Sequence, residues 1–151
     1  GTLQSKPHEQ PLDEGVALRL EALTRRFPGT AYARDAQQKI DLTRDHLAGK
    51  SMEIGRFYLN RGIYPAAIGR FQEVISTYQT TTHAAEALHR LVEAYLALGL
   101  REEAGRTAAI LGYNYPDSDW YQDTFALMNA QGETIGGENR GWFARAFDSV
   151  F

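Results

Sequence analysis

Apolar residues recur at helical spacing along two stretches of this chain, and both stretches follow one pattern. Gly62 and Gly99 each follow an apolar segment, and the two glycines lie 37 positions apart. The same shift relates five further pairs: Tyr58 and Tyr95, Ile54 and Leu91, Ala67 and Ala104, Phe71 and Ala108, Val74 and Leu111. The pattern predicts two helical hairpins, each with its turn at a glycine that can adopt the left-handed conformation.

A repeat of this kind also predicts how the helices pack. Its spacing is close to that of the tetratricopeptide repeat, a helix–turn–helix unit of about 34 residues. Pro65 suits the first turn of a helix, and the small Ala67 allows close approach within a hairpin. Tyr58 and Phe71 are expected to fill the gaps between hairpins. Because one hairpin leaves an apolar face uncovered, we expect an all-α fold, a tetratricopeptide-like superhelix of stacked helical hairpins.

One helix is expected to be longer than the repeat requires. Between Tyr32 and Asn60 there is no proline, and only Gly49 and Gly55 interrupt the run, at about 1 kcal/mol each. We therefore predict one continuous helix of about eight turns. The residues before it predict the second helix of an incomplete hairpin: Val16, Leu20 and Leu23.

Three junctions separate the predicted helices, at residues 27–30, 78–81 and 115–118. Each is an aromatic residue followed by helix breakers and hydroxyl side chains, which we expect to stop one helix and cap the next. The array then covers residues 12–130, with a partial first repeat, two full repeats and a terminal helix. Residues 1–11 are polar and are expected to be a disordered amino end, or one added by engineering.

The carboxy-terminal residues 131–151 divide into a linker and an amphipathic tail. Residues 131–139 read QGETIGGEN, which is typical of a linker. In the tail that follows, one helical stripe would hold Trp142, Phe143, Ala146, Phe147, Val150 and Phe151. We expect Trp142, Phe143, Phe147 and Phe151 to dock on the chain's own last repeat, on a partner's groove, or on a membrane surface.

Composition narrows the classes of function. The 151 residues are 43% hydrophobic, enough for one domain with a real core, and the net charge is −3. This charge favours no nucleic-acid partner. The absence of cysteine excludes disulfides, thiolate zinc sites and a cysteine nucleophile, but it does not identify the compartment.

Catalytic motifs are also missing from the sequence. The four histidines, His8, His46, His83 and His89, do not occur in any metal-binding spacing. Neither a nucleophile elbow nor a phosphate-binding glycine loop is present. We therefore expect no enzymatic activity, no metal and no cofactor, and we expect a binding function, since stacked hairpins form a concave surface.

The candidate partner-binding residues are those that the repeat pattern does not bury on the first helices, together with one further arginine. They are Arg56, Asn60, Arg61, Arg70, His89, Arg90 and Glu93. Four of these are arginines, which form bidentate pairs with carboxylates. An acidic patch or a peptide's carboxyl end is the expected partner chemistry.

The residues that carry this pattern resemble a known family. FYLNRGIYPAAIGRFQEVISTY, the upstream RDHLAGKSMEIGRFYLNRG and the later AAILGYNYPDSDWYQD are similar to the BamD lipoproteins of the outer-membrane β-barrel assembly machinery. The resemblance covers residues 15–130, the carboxy-terminal half of such a protein. It implies a non-catalytic scaffold on the periplasmic side of the outer membrane, lipid-anchored at full length. The lipidated cysteine and the first repeats are not among these residues.

The resemblance also implies partners. The carboxy-terminal repeats of the family would hold the membrane-proximal periplasmic domain of a BamA-like insertase, and other lipoproteins of the complex would bind nearby. Unfolded outer-membrane proteins would engage the amino-terminal repeats, which this chain lacks. The resemblance carries the insertase surface only as a region, from the long helix to the second hairpin.

Three other interpretations stay open at this point. A periplasmic coordinator of the Tol–Pal type has similar junctions but more uniform repeats, so a short helix pair within residues 32–60 would favour it. An enzyme accessory or peptide-processing module would need a pocket with His46 or His89 beside a carboxylate. A cytosolic adaptor could bind peptide carboxyl ends in its concave face.

Overall fold

The computed structural model describes residues 14–133 and residue 135. This part of the chain is helical and contains no strand, which confirms the all-α prediction. Its helices are α1 (Glu14–Arg26), α2 (Ala31–Asn60), α3 (Tyr64–Thr77), α4 (Ala84–Ala97), α5 (Arg101–Asn114) and α6 (Asp119–Ala130). The predictions for residues 1–11 and for tail residues Trp142, Phe143, Phe147 and Phe151 lie outside the described residues.

The chain divides into two compact units, residues 1–47 and residues 48–151. In the first unit α1 packs with the beginning of α2. Ala17 and Ile40 are buried there, and an ion pair between Glu21 and Arg44 joins the two helices. The sequence prediction of a helix around Leu20 is confirmed.

The long helix is present as one element of 30 residues, Ala31–Asn60. It begins at the first predicted junction, where the Thr30 hydroxyl oxygen accepts a hydrogen bond from the Ala33 N–H at 3.0 Å. Such a cap satisfies one of the backbone donors that a helix leaves open at its start. The prediction of one overlong helix is therefore confirmed.

The second unit consists of helical hairpins that turn at the predicted glycines. The φ angles of Gly62 and Gly99 are +73° and +74°, the left-handed region that side chains disfavour. After each glycine the next N–H reaches back across the turn: Ile63 donates to the Tyr58 carbonyl at 2.9 Å and Leu100 donates to the Tyr95 carbonyl at 2.8 Å. These bonds close the helix ends, and α3 and α5 then pack against α4.

Large and small residues are exchanged between the two hairpins. In the first, the Phe71 ring lies so close to Gly55 that a Cβ there would be 2.6 Å from Phe71 Cε1. In the second, Val92 and Ala108 share one buried cluster. These two residues hold the positions of Gly55 and Phe71, so a larger residue on the first helix is compensated by a smaller one on the second. The ring of Phe71 thus packs on α2 of its own hairpin.

The later junctions differ in how they cap the next helix. Ser118 accepts a hydrogen bond from the Tyr121 N–H at 3.1 Å and caps α6 as predicted. The expected hydroxyl cap of α4 is wrong, because its N-cap residue is His83, which makes no side-chain capping bond. The Thr81 hydroxyl instead donates to the Tyr78 carbonyl at 2.7 Å, within the junction itself.

Candidate functional site

Helix α4 carries several connected polar contacts on one edge. Eight of its residues are buried, and its half-exposed edge holds a chain of charged side chains shared with α2. We call this chain the α4 network, and it consists of Arg56, Glu86, His89, Arg90 and Glu93.

One end of the α4 network joins α2 to α4. The guanidinium of Arg56 donates from Nη1 to both carboxylate oxygens of Glu86, each at 3.1 Å. Glu86 lies in the first turn of α4, where a negative charge also interacts favourably with the helix dipole. A half-buried, charge-assisted contact of this kind fixes orientation better than an exposed ion pair does.

Arg90 occupies the centre of the α4 network. It donates from Nε to Glu86 at 3.2 Å and from Nη1 to Glu93 at 2.8 Å. Its guanidinium also lies 5.3 Å from the centre of the Trp120 ring, a cation–π contact with the following helix, α6. Arg90 therefore connects the surface of α4 with α6.

His89 forms the buried end of the α4 network. Its Nε2 lies 2.6 Å from the Glu93 carboxylate and its Nδ1 lies 2.7 Å from the Thr124 hydroxyl. Both ring nitrogens therefore have a hydrogen-bond partner: Nε2 the Glu93 carboxylate and Nδ1 the Thr124 hydroxyl. The side chain is only 8% exposed. The expectation that His89 is left unburied is thus wrong, because α6 covers it.

Glu93 is the group whose ionisation the α4 network changes. Burial acts to raise the pKa of its carboxyl group, since a charge loses solvation there. The hydrogen bond from His89 and the positive charge of Arg90 outweigh burial, so the pKa lies below the ordinary value of 4.5. The ionised carboxylate is therefore the form that the folded protein stabilises.

This shift predicts a dependence of stability on acid pH. A carboxylate with a lowered pKa contributes stability that is fully present above pH 4.5 and is lost as the pH falls through the lowered pKa. In Glu93→Gln, the free energy of unfolding should therefore fall less steeply below pH 4.5 than in the parent. Urea titrations followed by circular dichroism give the free energy of unfolding at each pH by linear extrapolation to zero urea. Repeating them from about pH 3 to pH 7 gives its slope against pH for the parent and for Glu93→Gln.

Glu53→Gln is the matched control, because Glu53 is an exposed carboxylate of α2 in the same unit. This variant should keep the acid slope of the parent. Equal slopes in the parent and in Glu93→Gln would show that Glu93 is not coupled to His89 and Arg90 in solution.

The other predicted residues lie apart from the α4 network. Asn60 and Arg61 are exposed at the turn after α2, and the Arg61 guanidinium lies 4.3 Å from the centre of the Phe57 ring. Arg70 is on α3, where it pairs with Glu73 at 3.6 Å. The structure therefore brings Arg56, His89, Arg90 and Glu93 together, and it places Asn60, Arg61 and Arg70 elsewhere.

Three members of this arrangement were missing from the sequence prediction. Glu86 lies four residues before Arg90, so the helical i,i+4 rule could have found it. Trp120 and Thr124 belong to α6, and no local spacing predicts that they reach α4. Placing them requires knowledge of how α6 packs against α4.

The α4 network is suited to stabilising the fold, because its arginines are paired within the chain. Three of the four predicted arginines, Arg56, Arg70 and Arg90, are already paired with carboxylates.

In the part of the chain that the structure describes, no group of three or more acidic or histidine side chains could hold a metal ion. Within the same residues, no helix is both long enough and apolar enough to cross a membrane.

Comparison with known proteins gives the family. A sequence profile of the YfiO family, described as outer membrane lipoprotein, matches residues 12–111, which include the turns at Gly62 and Gly99 and the whole α4 network. The chain belongs to this family. The resemblance found in the residues is confirmed.

Curated relatives of the YfiO family extend the comparison to residue level. The chain is 52% identical over 124 residues to the outer membrane protein assembly factor BamD of Caulobacter vibrioides, covering 82% of the chain and 41% of the relative. It is 56% identical over 108 residues to BamD of Rickettsia prowazekii, covering 72% and 43%. BamD of Neisseria meningitidis is 40% identical over 96 residues, covering 64% and 36%. The chain thus spans about two fifths of the length of these relatives.

Proposed function

We propose that this chain is the carboxy-terminal, partner-binding part of an outer membrane protein assembly factor. The observation that carries the proposal is the 52% identity to a BamD protein across 82% of the chain. The role is that of a non-catalytic scaffold on the periplasmic side of the outer membrane, anchored by lipid in the full-length protein. Its partners are the membrane-proximal periplasmic domain of a BamA-like insertase and the other lipoproteins of the assembly complex.

The turn between α2 and α3 is the surface we assign to the insertase. Arg61 is exposed there and, among the described residues, pairs with no carboxylate. Phe57, 51% exposed, lies beneath it, so an apolar ring and a cation are presented together. This combination suits an interface in which a partner's acidic side chain meets Arg61 beside an apolar contact.

Charge reversal at this turn tests the proposal. Arg61→Glu should weaken binding of the isolated membrane-proximal insertase domain about tenfold or more, because it removes a cation and adds a repulsive charge. Affinity measured by calorimetry at low and at moderate salt gives the effect, and the loss should be larger at low salt. Helicity by circular dichroism should stay unchanged, since Arg61 is exposed.

Arg106→Glu is the control, because Arg106 is a half-exposed arginine of α5 outside the proposed surface. It should bind like the parent. Arg90→Glu is a poor probe, since Arg90 holds the α4 network together and its reversal would disturb the fold. If the parent and Arg61→Glu bound the insertase domain with equal affinity, the assigned surface would be refuted. If the folded parent did not bind this domain at all, the insertase would be refuted as the partner.

The Tol–Pal alternative receives no support from the fold. It required a short helix pair within residues 32–60, and these residues form one helix.

A further inference from the structure

The third hairpin lacks a second helix among the described residues. Helix α6 ends in the same kind of turn as the earlier first helices, with the Glu133 N–H donating to the Met128 carbonyl at 2.9 Å across Gly132. After the two earlier turns a packed helix begins within two residues, at Tyr64 and at Arg101. The described residues end at residue 135, and no such helix follows α6 among them.

One position in the repeat shows what that second helix would cover. Gly55, Val92 and Phe125 each lie seven residues before a turn glycine. The first two are buried beneath α3 and α5. Phe125 is 49% exposed. The equivalent face of α6 is therefore apolar and open where its counterparts are closed.

This open face is one wall of a groove of about 490 Å³ between α5 and α6. Tyr113, Tyr121 and Phe125 line it, and Tyr113 is 67% exposed. Ile135, the last described residue, also lines the groove, so the chain continues from the groove itself. The aromatic part of this groove lies beside the chain's own continuation, and exposed apolar surface of this kind is typical of docking sites for hydrophobic segments.

We propose that the tail of this same chain, residues 142–151, docks its apolar stripe in this groove and completes the third hairpin. The stripe holds Trp142, Phe143, Phe147 and Phe151 at helical spacing. Trp142 follows Ile135 by only seven residues, and covalent connection over so short a span gives an effective concentration of about millimolar. A second chain or a separate partner at micromolar concentration competes poorly with such a segment. The inference does not depend on the proposed partner of the α2–α3 turn.

Tryptophan fluorescence of the full chain tests the docking. The chain has two tryptophans, so Trp120→Phe leaves Trp142 as the single reporter on the tail. In this background Trp142 should be shielded from acrylamide. Adding Phe125→Glu should place a charge in the groove and raise the acrylamide quenching constant of Trp142 about twofold or more. Circular dichroism checks that helicity is retained.

Leu98→Glu is the matched control, because Leu98 is 42% exposed and does not line the groove. It should leave Trp142 shielded. On the tail side, Phe147→Glu should release Trp142, whereas Asp148→Ala should not, because residue 148 lies off the apolar stripe. The tail variants keep the test decisive if Phe125→Glu fails to fold.

Three results would overturn the inference. In the first, acrylamide quenches Trp142 equally in the Trp120→Phe parent, in Phe125→Glu and in Phe147→Glu, which would mean that the tail is not docked. Shielding that disappears on dilution, with a dimer mass from light scattering, would assign the groove to a second copy. Shielding that arises only on adding anionic lipid vesicles would assign the stripe to a membrane surface.

Discussion

Replacing Phe71 with alanine should lower the free energy of unfolding of the second unit by about 3–5 kcal/mol. The ring of Phe71 is fully buried, and its atoms fill the space that Gly55 leaves open. Truncation removes the apolar contacts and leaves a cavity between two helices that cannot close without moving the turn at Gly62. Urea denaturation followed by circular dichroism measures the loss.

Phe57→Ala is the control, since Phe57 is an aromatic residue of the same hairpin but is 51% exposed. Its truncation should change the free energy by about 1 kcal/mol or less. If Phe71→Ala cost no more than Phe57→Ala, the packing of α3 on α2 would not contribute to stability in the way described here.

A single added methyl group should also be costly, at Gly55. A Cβ at this position would lie 2.6 Å from Phe71 Cε1 and 2.9 Å from two further ring atoms. Overpacking of this kind costs about 1–3 kcal/mol, which outweighs the gain of up to about 1 kcal/mol in helix propensity from glycine to alanine. We therefore expect Gly55→Ala to destabilise the protein, in the same urea assay.

Gly69→Ala supplies the control, because Gly69 lies in α3 with no atom near its missing Cβ. That substitution should stabilise the protein by up to about 1 kcal/mol. The clash can also be relieved from the other side: Gly55→Ala should be less harmful in a Phe71→Leu background than in the parent. Equal costs in both backgrounds would mean that Phe71 does not contact Gly55.

The parts of the fold that the sequence predicts are those that depend on local rules. The hairpin turns follow from Gly62 and Gly99, since few residues other than glycine adopt a left-handed angle there. The long α2 follows from the absence of proline across residues 32–60. The missing cap of α4 could not be predicted, because hydroxyl residues are present and the backbone path decides which of their bonds forms.

The candidate site divides in the same way. The contacts of Arg90 with Glu86 and Glu93 lie within one or two turns of α4 and follow from helical spacing. The contact of Arg56 with Glu86 spans 30 residues, and sequence spacing carries no information on it. The burial of His89 depends on Thr124 and the helix that carries it. The prediction that residues on the first helix of a hairpin are exposed is wrong where a following helix covers them, as α6 covers His89.

The exchange of sizes between the hairpins has a consequence for how such arrays recombine. Gly55 matches Phe71, and Val92 and Ala108 share a cluster in the next hairpin, so each hairpin carries its own complementary pair. A crossover at a glycine turn would join mismatched helices, with Phe71 against Val92 or Ala108 against Gly55. A crossover in the 78–83 junction would transfer each pair intact. Whole hairpins are therefore the units that gene duplication and shuffling can exchange, and single helices are not.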